Sequence, residues 1–205
     1  MSYRLAMARL WMRESVLSRQ LARVAEMTNA VLDDMLEDHA PDALGAIRAA
    51  DEPMEGDLER RRRAMADGHR RRVAALVTAL GEEEAVAKGR RRLLPVGERL
   101  GMEARARLGI GDDLDELVEA AELLYRVLGI SLESEEAEDG SRILTIESCS
   151  LSHCYDAITC RLMSAADEGM VRGLNPKVSM TFRERITEEH PHCRAVLVIS
   201  PVRGA

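Results

Sequence analysis

Aromatic side chains are scarce in this chain, which has one Trp, three Tyr and one Phe among its 205 residues. With so few rings, a surface on which nucleotide bases stack is not expected. The apolar 46% of the chain must therefore consist mainly of Leu, Val, Ile, Ala and the eleven Met. Because Met is flexible and fills irregular spaces, this composition indicates an adaptable core.

Long apolar runs are also missing. Nowhere do eighteen apolar residues follow one another, and the N-terminus, MSYRLAMARLWMRESVLSRQ, lacks the uncharged apolar stretch of a signal peptide. We therefore expect a cytoplasmic protein with no membrane partner. In that reducing compartment, the four cysteines are expected to be thiols, metal ligands or nucleophiles rather than disulfides.

Positive charge does not dominate the chain, whose formal net charge is −7. Nucleic-acid-binding domains usually carry a basic surface, so no nucleic-acid partner is expected. Arg does occur in three clusters, but each lies in a stretch of helical character with acidic residues nearby. We interpret them as solvated, ion-paired helix faces. The clusters are Arg60–Arg63, Arg70–Arg72 and Arg90–Arg92.

Residues 1–40 are predicted to form one long amphipathic helix that ends near His39. Its apolar positions recur at spacings of three, four or seven, which is typical of a helix with one buried face. The stripe is close to a heptad repeat, so it suits either a homodimer formed through this helix or docking onto the rest of the chain. It consists of Leu10, Leu17, Leu21, Val24, Thr28, Val31 and Met35.

Residues 41–128 are predicted to be a helical region. It opens with a loop rich in Pro, Asp and Gly, HAPDALGAIRAADEPMEG, and continues with a helix from about Leu58 to Leu80. A third helix begins at an acidic run and is expected to kink or divide at Pro95. A fourth helix completes the region and ends at Gly129.

Residues 129–205 change to a period of two, and four stretches are predicted to be strands with one helix between the second and third. The predicted fold class is α+β, with a helical N-terminal half packed on a C-terminal four-stranded antiparallel sheet that carries one Cys-bearing helix. We expect one folding unit. The stretches are ISLESEEAE, RILTIES, the helix YDAITCRLMSAADEGMVRGL, KVSMTFRERIT and CRAVLVIS.

Three of the four cysteines lie in the stretch CSLSHCYDAITC, together with His153 and Asp156. The fourth, Cys193, follows His192 at the turn before the last strand, and the fold is expected to bring both groups to one sheet edge. A metal site, a catalytic thiol and ordinary packing all remain open, because the spacings match no standard zinc knuckle. Candidate ligands for zinc or an iron–sulfur cluster are Cys149, Cys154, Cys160, Cys193 and His192.

The position of Cys154 at the start of the predicted helix favours a thiolate, because free backbone N–H groups and the helix dipole stabilise negative charge there. Asp156 is suited to cap the same helix. One stripe of the helix is polar and is expected to face a pocket, solvent or the N-terminal helices, with its aspartates at a cavity rim; the other is expected to cover the sheet. The stripes are Asp156, Cys160, Met163, Asp167 and Met170, and Ile158, Leu162, Ala165, Ala166 and Gly169.

From Leu80 onward, four segments follow one another in a distinctive order: LGEEEAVAKGRRRLLPVGERLG, ESCSLSHCYDAITC, EGMVRGLNPK and HPHCRAVLVI. This order resembles the family of L-2-amino-thiazoline-4-carboxylic acid hydrolase-like proteins and, more distantly, the vinyl-4-reductase small-molecule-binding domains. The resemblance implies an α+β fold with a pocket between sheet and helices. It assigns functional interest to Cys149, Cys154 and Cys193, with Asp156 and Asn175 as lesser candidates.

Two functions follow as hypotheses. The first is a hydrolase acting on a small sulfur- or nitrogen-containing ring or amide, either by thiolate attack with His153 or His192 as acid–base partner, or by a metal-activated water. The second is a non-catalytic module that senses a small molecule, a metal or an iron–sulfur cluster. The catalytic candidates are Cys154, Cys149, His153 and Asp156, and the substrate-binding candidates are Asn175 and Asp167.

Overall fold

The computed structural model describes residues 2–138 and 140–199, and within them the fold is α+β, as predicted. Seven helices and one four-stranded antiparallel sheet make up this part of the chain, and the sheet lies in the C-terminal part. The helices are α1 (Tyr3–Trp11), α2 (Glu14–His39), α3 (Pro41–Ala50), α4 (Leu58–Leu80), α5 (Glu82–Leu108), α6 (Leu114–Leu128) and α7 (Ala157–Leu174). The strands are β1 (Ile130–Glu136), β2 (Arg142–Cys149), β3 (Val178–Glu184) and β4 (Cys193–Ile199).

The sheet has the order β1-β2-β4-β3, and every neighbouring pair is antiparallel. β4 is therefore a central strand, and its alternate residues are buried, as expected for a period of two. Cys193, its first residue, lies opposite Ile146, so the start of β4 is beside the end of β2, where Cys149 lies. The strand register therefore places Cys149 and Cys193 at the same end of neighbouring strands.

The single long N-terminal helix was a wrong prediction, because the chain is extended at Met12 and Arg13 and divides there into α1 and α2. The apolar stripe is not continuous across this point: Leu10 is 78% exposed, whereas Leu5 and Leu21 are fully buried. α1 packs on α5 and α6, while α2 packs on α4. The buried face of α2 is thus covered within the chain, and a homodimer through this helix stays a prediction.

The segment predicted as a Pro-, Asp- and Gly-rich loop is instead mostly helical, forming α3. Pro41 stands in the first turn, where a missing backbone N–H costs nothing. Leu44 and Ile47, three residues apart, are buried and bring α3 onto its neighbours. The helical spacing of these two buried residues therefore outweighs the Pro, Asp and Gly content that predicted a loop.

The sequence predicted that α5 would kink or divide at Pro95. In the structure α5 is not divided there. Its close packing on α7 spans both sides of the proline. A Cβ added at Gly97 would overlap the carbonyl oxygen of Ala166, and one at Gly101 would overlap that of Met170. The two helix backbones therefore touch directly, which only glycine permits.

The apolar stripe of α7 covers α5 rather than the sheet, so that part of the prediction was wrong. Leu162 packs where a side chain at Gly89 would lie. Arg90 of α5 fixes the register, because it donates to the carbonyl oxygen of Arg161 at 2.7 Å and pairs with Glu168 at 2.6 Å. The other stripe of α7 is consequently left facing the interior between helices and sheet.

The arginine clusters are paired with acids, as predicted, but one member is buried. Arg72 is 2% exposed and pairs with Asp33 at 2.6 Å and with Asp51 at 2.7 Å. This network ties α2, α4 and the segment after α3 together. In the described part of the chain, no helix combines the length and the apolarity that crossing a bilayer requires.

Candidate functional site

A cavity of about 390 Å³ lies between the N-terminal helices and the sheet, with α7 as one wall. Helices α1, α2, α4, α5 and α6 and all four strands also contribute to its lining. Its size is within the roughly 300–1,000 Å³ range of small-molecule sites. Most of the lining is aliphatic, and includes Met65, Leu100, Leu123, Leu128, Met163 and Met170.

Part of the cavity lining, on α2 and α5, is charged and partly exposed. Arg23 of α2 forms an ion pair with Glu103 of α5, and Arg107 lies 3.8 Å from the same carboxylate. All three side chains are partly or mostly exposed. Because these side chains both line the cavity and reach the surface, we infer that the cavity mouth lies beside this ion-paired group.

One polar group in the cavity wall is a hydrogen-bonded chain through His69, which is 1% exposed. Its Nε2 lies 2.7 Å from Thr28 Oγ1, and its Nδ1 lies 2.6 Å from the Tyr155 hydroxyl. Thr28 Oγ1 also lies 2.7 Å from the carbonyl oxygen of Val24, which can only accept. When the Thr28 proton is donated to Val24, His69 takes the tautomer in which Nε2–H donates to Thr28 and Nδ1 accepts from Tyr155.

The protonation state of His69 agrees with this arrangement. Burial, together with the positive charge of Arg72, lowers the pKa of His69 to about 3, so the ring is neutral at pH 7. Burial also raises the pKa of Tyr155 well above its ordinary value, and the nearby Asp167 acts in the same direction. Tyr155 is therefore a neutral phenol at pH 7, and its hydroxyl is hydrogen-bonded to His69.

A second polar group in the wall consists of Asp167 on α7 and Tyr125 on α6. Burial raises the pKa of Asp167 to about 7, with Glu168 adding to the effect and Tyr125 and Arg185 opposing it. The Tyr125 hydroxyl is close enough to this carboxyl to favour its ionised form, yet no partner among the described residues lies within hydrogen-bond distance and angle of it. Because Tyr125 is 1% exposed, this is an unsatisfied buried hydroxyl that borders an empty space.

Three of the four cysteines line the cavity, and all three are protonated thiols at neutral pH. Burial raises the pKa of Cys149 to about 12 and that of Cys160 to about 11. Burial likewise raises the pKa of Cys193, whose sulfur accepts a hydrogen bond from the Ile186 backbone N–H at 3.3 Å. The predicted polar, thiol-bearing stripe does face a cavity, through Cys160, Met163, Asp167 and Met170.

Cys154 does not line the cavity, and the prediction of a stabilised thiolate there was wrong. It follows the 3-10 turn Ser150–His153 rather than entering the first turn of α7. Burial and the nearby Asp67 raise the pKa of Cys154, and Arg63 and Arg70 only partly offset them. Burial and Asp67, rather than the helix dipole, therefore set the direction of the pKa shift of Cys154.

The remaining predicted residues lie away from the cavity. His153 and His192 are exposed, and Asp156 caps α7 by accepting from the Thr159 backbone N–H at 2.7 Å. Asn175 is buried, but its amide is used elsewhere: it donates to the Asp112 carbonyl oxygen at 3.1 Å and accepts from the Lys177 backbone N–H at 3.0 Å. Asp167 is the one predicted substrate contact that the fold places in the cavity.

The proposed zinc or iron–sulfur ligands are not brought together. Among the described residues, no group of three or more His, Cys, Asp or Glu side chains is arranged to hold a metal ion. Cys154 faces α4 and His192 is exposed, while the cavity thiols are buried with raised pKa values, which disfavours the thiolate form that metals require. The donor set therefore does not fit either cofactor.

Sequence reasoning missed the hydrogen-bonding residues His69, Tyr125 and Tyr155. A signal was present for two of them. His69 falls four residues after Met65 and four before Val73, on the buried face of α4, and Tyr125 falls on the apolar face of α6. A polar ring on an otherwise apolar stripe must find partners inside the protein, so these positions indicate buried hydrogen-bonding groups.

No protein-family model matches the chain, and no curated protein matches it either. Similar solved structures include the phenol-responsive sensory domain of the transcription activator PoxR with phenol, at TM-score 0.51 and 18% identity, covering 64% of this chain and 73% of that one. A trafficking protein particle complex subunit 3 from Naegleria fowleri, covalently bound to palmitic acid, has TM-score 0.48 and 12% identity over 66% of this chain and 95% of that one. An H-NOX protein from S. oneidensis in the Fe(II)NO ligation state has TM-score 0.43 and 12% identity over 85% and 98%. The first of these shows a shared fold.

Proposed function

We propose that this chain is a non-catalytic small-molecule-binding domain of the sensory type, and that its ligand occupies the central cavity. The observation that carries the proposal is the cavity itself: about 390 Å³, mainly aliphatic, with neutral hydrogen-bonding side chains in its wall. The phenol-responsive sensory domain of PoxR supports the proposal only as a fold that holds a small molecule.

Hydrolysis is not part of the proposal. A catalytic cysteine needs a thiolate or an adjacent base, whereas the pKa values of Cys149, Cys160 and Cys193 are raised by burial. His153 and His192, the expected acid–base partners, are exposed and do not line the cavity. The likeness to the hydrolase-like family thus supports the α+β fold with a pocket rather than its reaction.

We also propose that the whole chain is one folding unit. Support comes from the cavity lining, which draws Val24 and His69 from the helical half and Cys149 and Cys193 from the sheet half. A single apolar cluster likewise includes Leu5 of α1 together with buried residues of β4. Neither half would keep this cavity closed alone.

The test is a fluorescence titration with N-phenyl-1-naphthylamine, a neutral apolar dye whose emission rises in dry surroundings. We expect saturable binding to the wild type with one site per chain. Val24→Trp fills the cavity from α2 and should abolish the signal, whereas the matched substitution Val198→Trp on the 47% exposed Val198 should leave it unchanged. No saturable binding to the wild type, or equal binding to Val24→Trp, would refute the proposal.

A further inference from the structure

The part of the cavity wall around Tyr125 and Asp167 is polar and has an uneven supply of hydrogen-bonding groups. Tyr125, Tyr155 and Asp167 come together there, since the charge of Asp167 affects both tyrosines. In the His69 tautomer whose Nδ1 accepts from Tyr155, the Tyr155 proton is used and this hydroxyl is left to accept from a ligand. The Tyr125 hydroxyl interacts with the Asp167 carboxyl, but no partner among the described residues lies in hydrogen-bond geometry, so its proton is available to a ligand.

A ligand group that completes this set must accept a hydrogen bond from Tyr125 and donate one to an acceptor beside it. A hydroxyl group has both capacities. An ammonium group has no lone pair, so it would leave the Tyr125 proton unpaired. A carboxylate ligand cannot donate a hydrogen bond, so it would leave the acceptor beside Tyr125 unpaired.

The rest of the cavity restricts the remainder of the ligand. Beyond this polar part the walls are mainly Leu, Met, Val and Ile side chains, which favour a hydrocarbon body. The volume of about 390 Å³ is at the small end of ligand sites, which indicates a compact molecule.

We propose that the ligand is a small, uncharged alcohol or phenol whose hydroxyl accepts from Tyr125 and donates to Asp167 or Tyr155, with its hydrocarbon part against the aliphatic walls. This rests on the proposed function, because it names the ligand class of the same cavity. Tyr125 and Asp167 are then the specificity-determining residues. The sequence predicted such a role for Asp167 but not for Tyr125.

The experiment compares benzyl alcohol with its apolar isostere ethylbenzene and its cationic analogue benzylamine, by calorimetry at pH 7. Tyr125→Phe should weaken benzyl alcohol binding by about tenfold, the effect of one hydrogen bond to a ligand, and change ethylbenzene binding by less than about twofold. Asp167→Leu should give the same pattern. Tyr3→Phe and Asp34→Asn are matched controls on exposed residues and should change neither affinity.

Three results would overturn this inference while leaving the proposed function intact. The first is benzyl alcohol affinity that neither Tyr125→Phe nor Asp167→Leu changes, although Val24→Trp abolishes it. The second is benzylamine binding more tightly than benzyl alcohol, and the third is N-phenyl-1-naphthylamine binding while benzyl alcohol does not. If none of these probes binds the folded wild type, the inference and the proposed function both fail.

Discussion

The Tyr155 hydroxyl and His69 Nδ1 share a hydrogen bond of 2.6 Å, which joins the segment before α7 to α4. His69 in turn reaches α2 through Thr28. The chain of bonds therefore connects the cysteine-containing segment to the helical half of the protein, along the cavity wall.

Tyr155→Phe should destabilise the fold, because it leaves His69 Nδ1 buried without its partner. The expected loss is about 1–3 kcal/mol, the usual cost of an unsatisfied buried polar group. Denaturant unfolding followed by circular dichroism measures it. Tyr3→Phe, on a side chain that is 78% exposed, is the control and should change nothing. Equal stability of the two variants would show that the His69 bond has no energetic role.

Asp167→Asn should stabilise the protein more at pH 8 than at pH 5. Burial raises the pKa of Asp167 to about 7 from an ordinary 3.8, so the folded state holds a proton that the unfolded state has lost. Wild-type stability is therefore lost as pH rises from about 4 through 7, and the amide has no such loss. Thermal unfolding at both pH values gives the comparison, and a gain that is equal at the two pH values would contradict a buried, neutral Asp167.

Glu103→Gln should speed the exchange of ligand at the cavity mouth. The ion pair of Glu103 with Arg23 is partly exposed, and such pairs contribute about 0–1 kcal/mol, so exchange rates should rise by up to about fivefold. Stopped-flow mixing with N-phenyl-1-naphthylamine measures the association and dissociation rates, which should rise together. Glu98→Gln is a matched control on the same helix, where Glu98 pairs with Arg172 outside the cavity. Unchanged rates in Glu103→Gln would place the entrance elsewhere.

Gly97→Ala should destabilise the protein strongly, by about 2 kcal/mol or more, because its Cβ would overlap the backbone of Ala166 in α7. Gly45→Ala is the matched control: Gly45 also lies within a helix, but a Cβ there meets nothing within 4 Å. That substitution should be neutral or stabilising, since Ala favours the helix by about 1 kcal/mol. If both substitutions had the same effect, the direct contact of α5 and α7 would be wrong.

Much of the fold could be predicted because its signals are local. Gly129 ends α6 with a left-handed conformation at φ 70°, and the alternation that follows gives β1 and β2. The wrong predictions arose where tertiary packing, rather than local sequence, determined the helix boundaries. The break at Met12 depends on how α1 packs on α5 and α6. Helix α3 forms because Leu44 and Ile47 pack into an apolar cluster with buried residues of α2 and α4.

The site was predictable only in part, because its residues come from every layer of the fold. The period of α7 placed Cys160 and Asp167 on a cavity-facing stripe, which depends on one helix alone. Whether a thiol is ionised or an imidazole is buried depends on distant neighbours. Burial therefore reversed the expected state of Cys154, and nothing local indicates that Tyr155 meets His69.

The most direct test of the central claim is a methyl spectrum of protein labelled with ¹³C at methionine, recorded while benzyl alcohol is added. Met65, Met163 and Met170 line the cavity, whereas Met102 is 53% exposed and outside it. A ligand in the cavity should shift the first three signals in a saturable way, with nuclear Overhauser effects to the ligand ring, and leave Met102 unchanged. Saturable shifts confined to Met102, or no shifts at saturating probe, would contradict an internal small-molecule site.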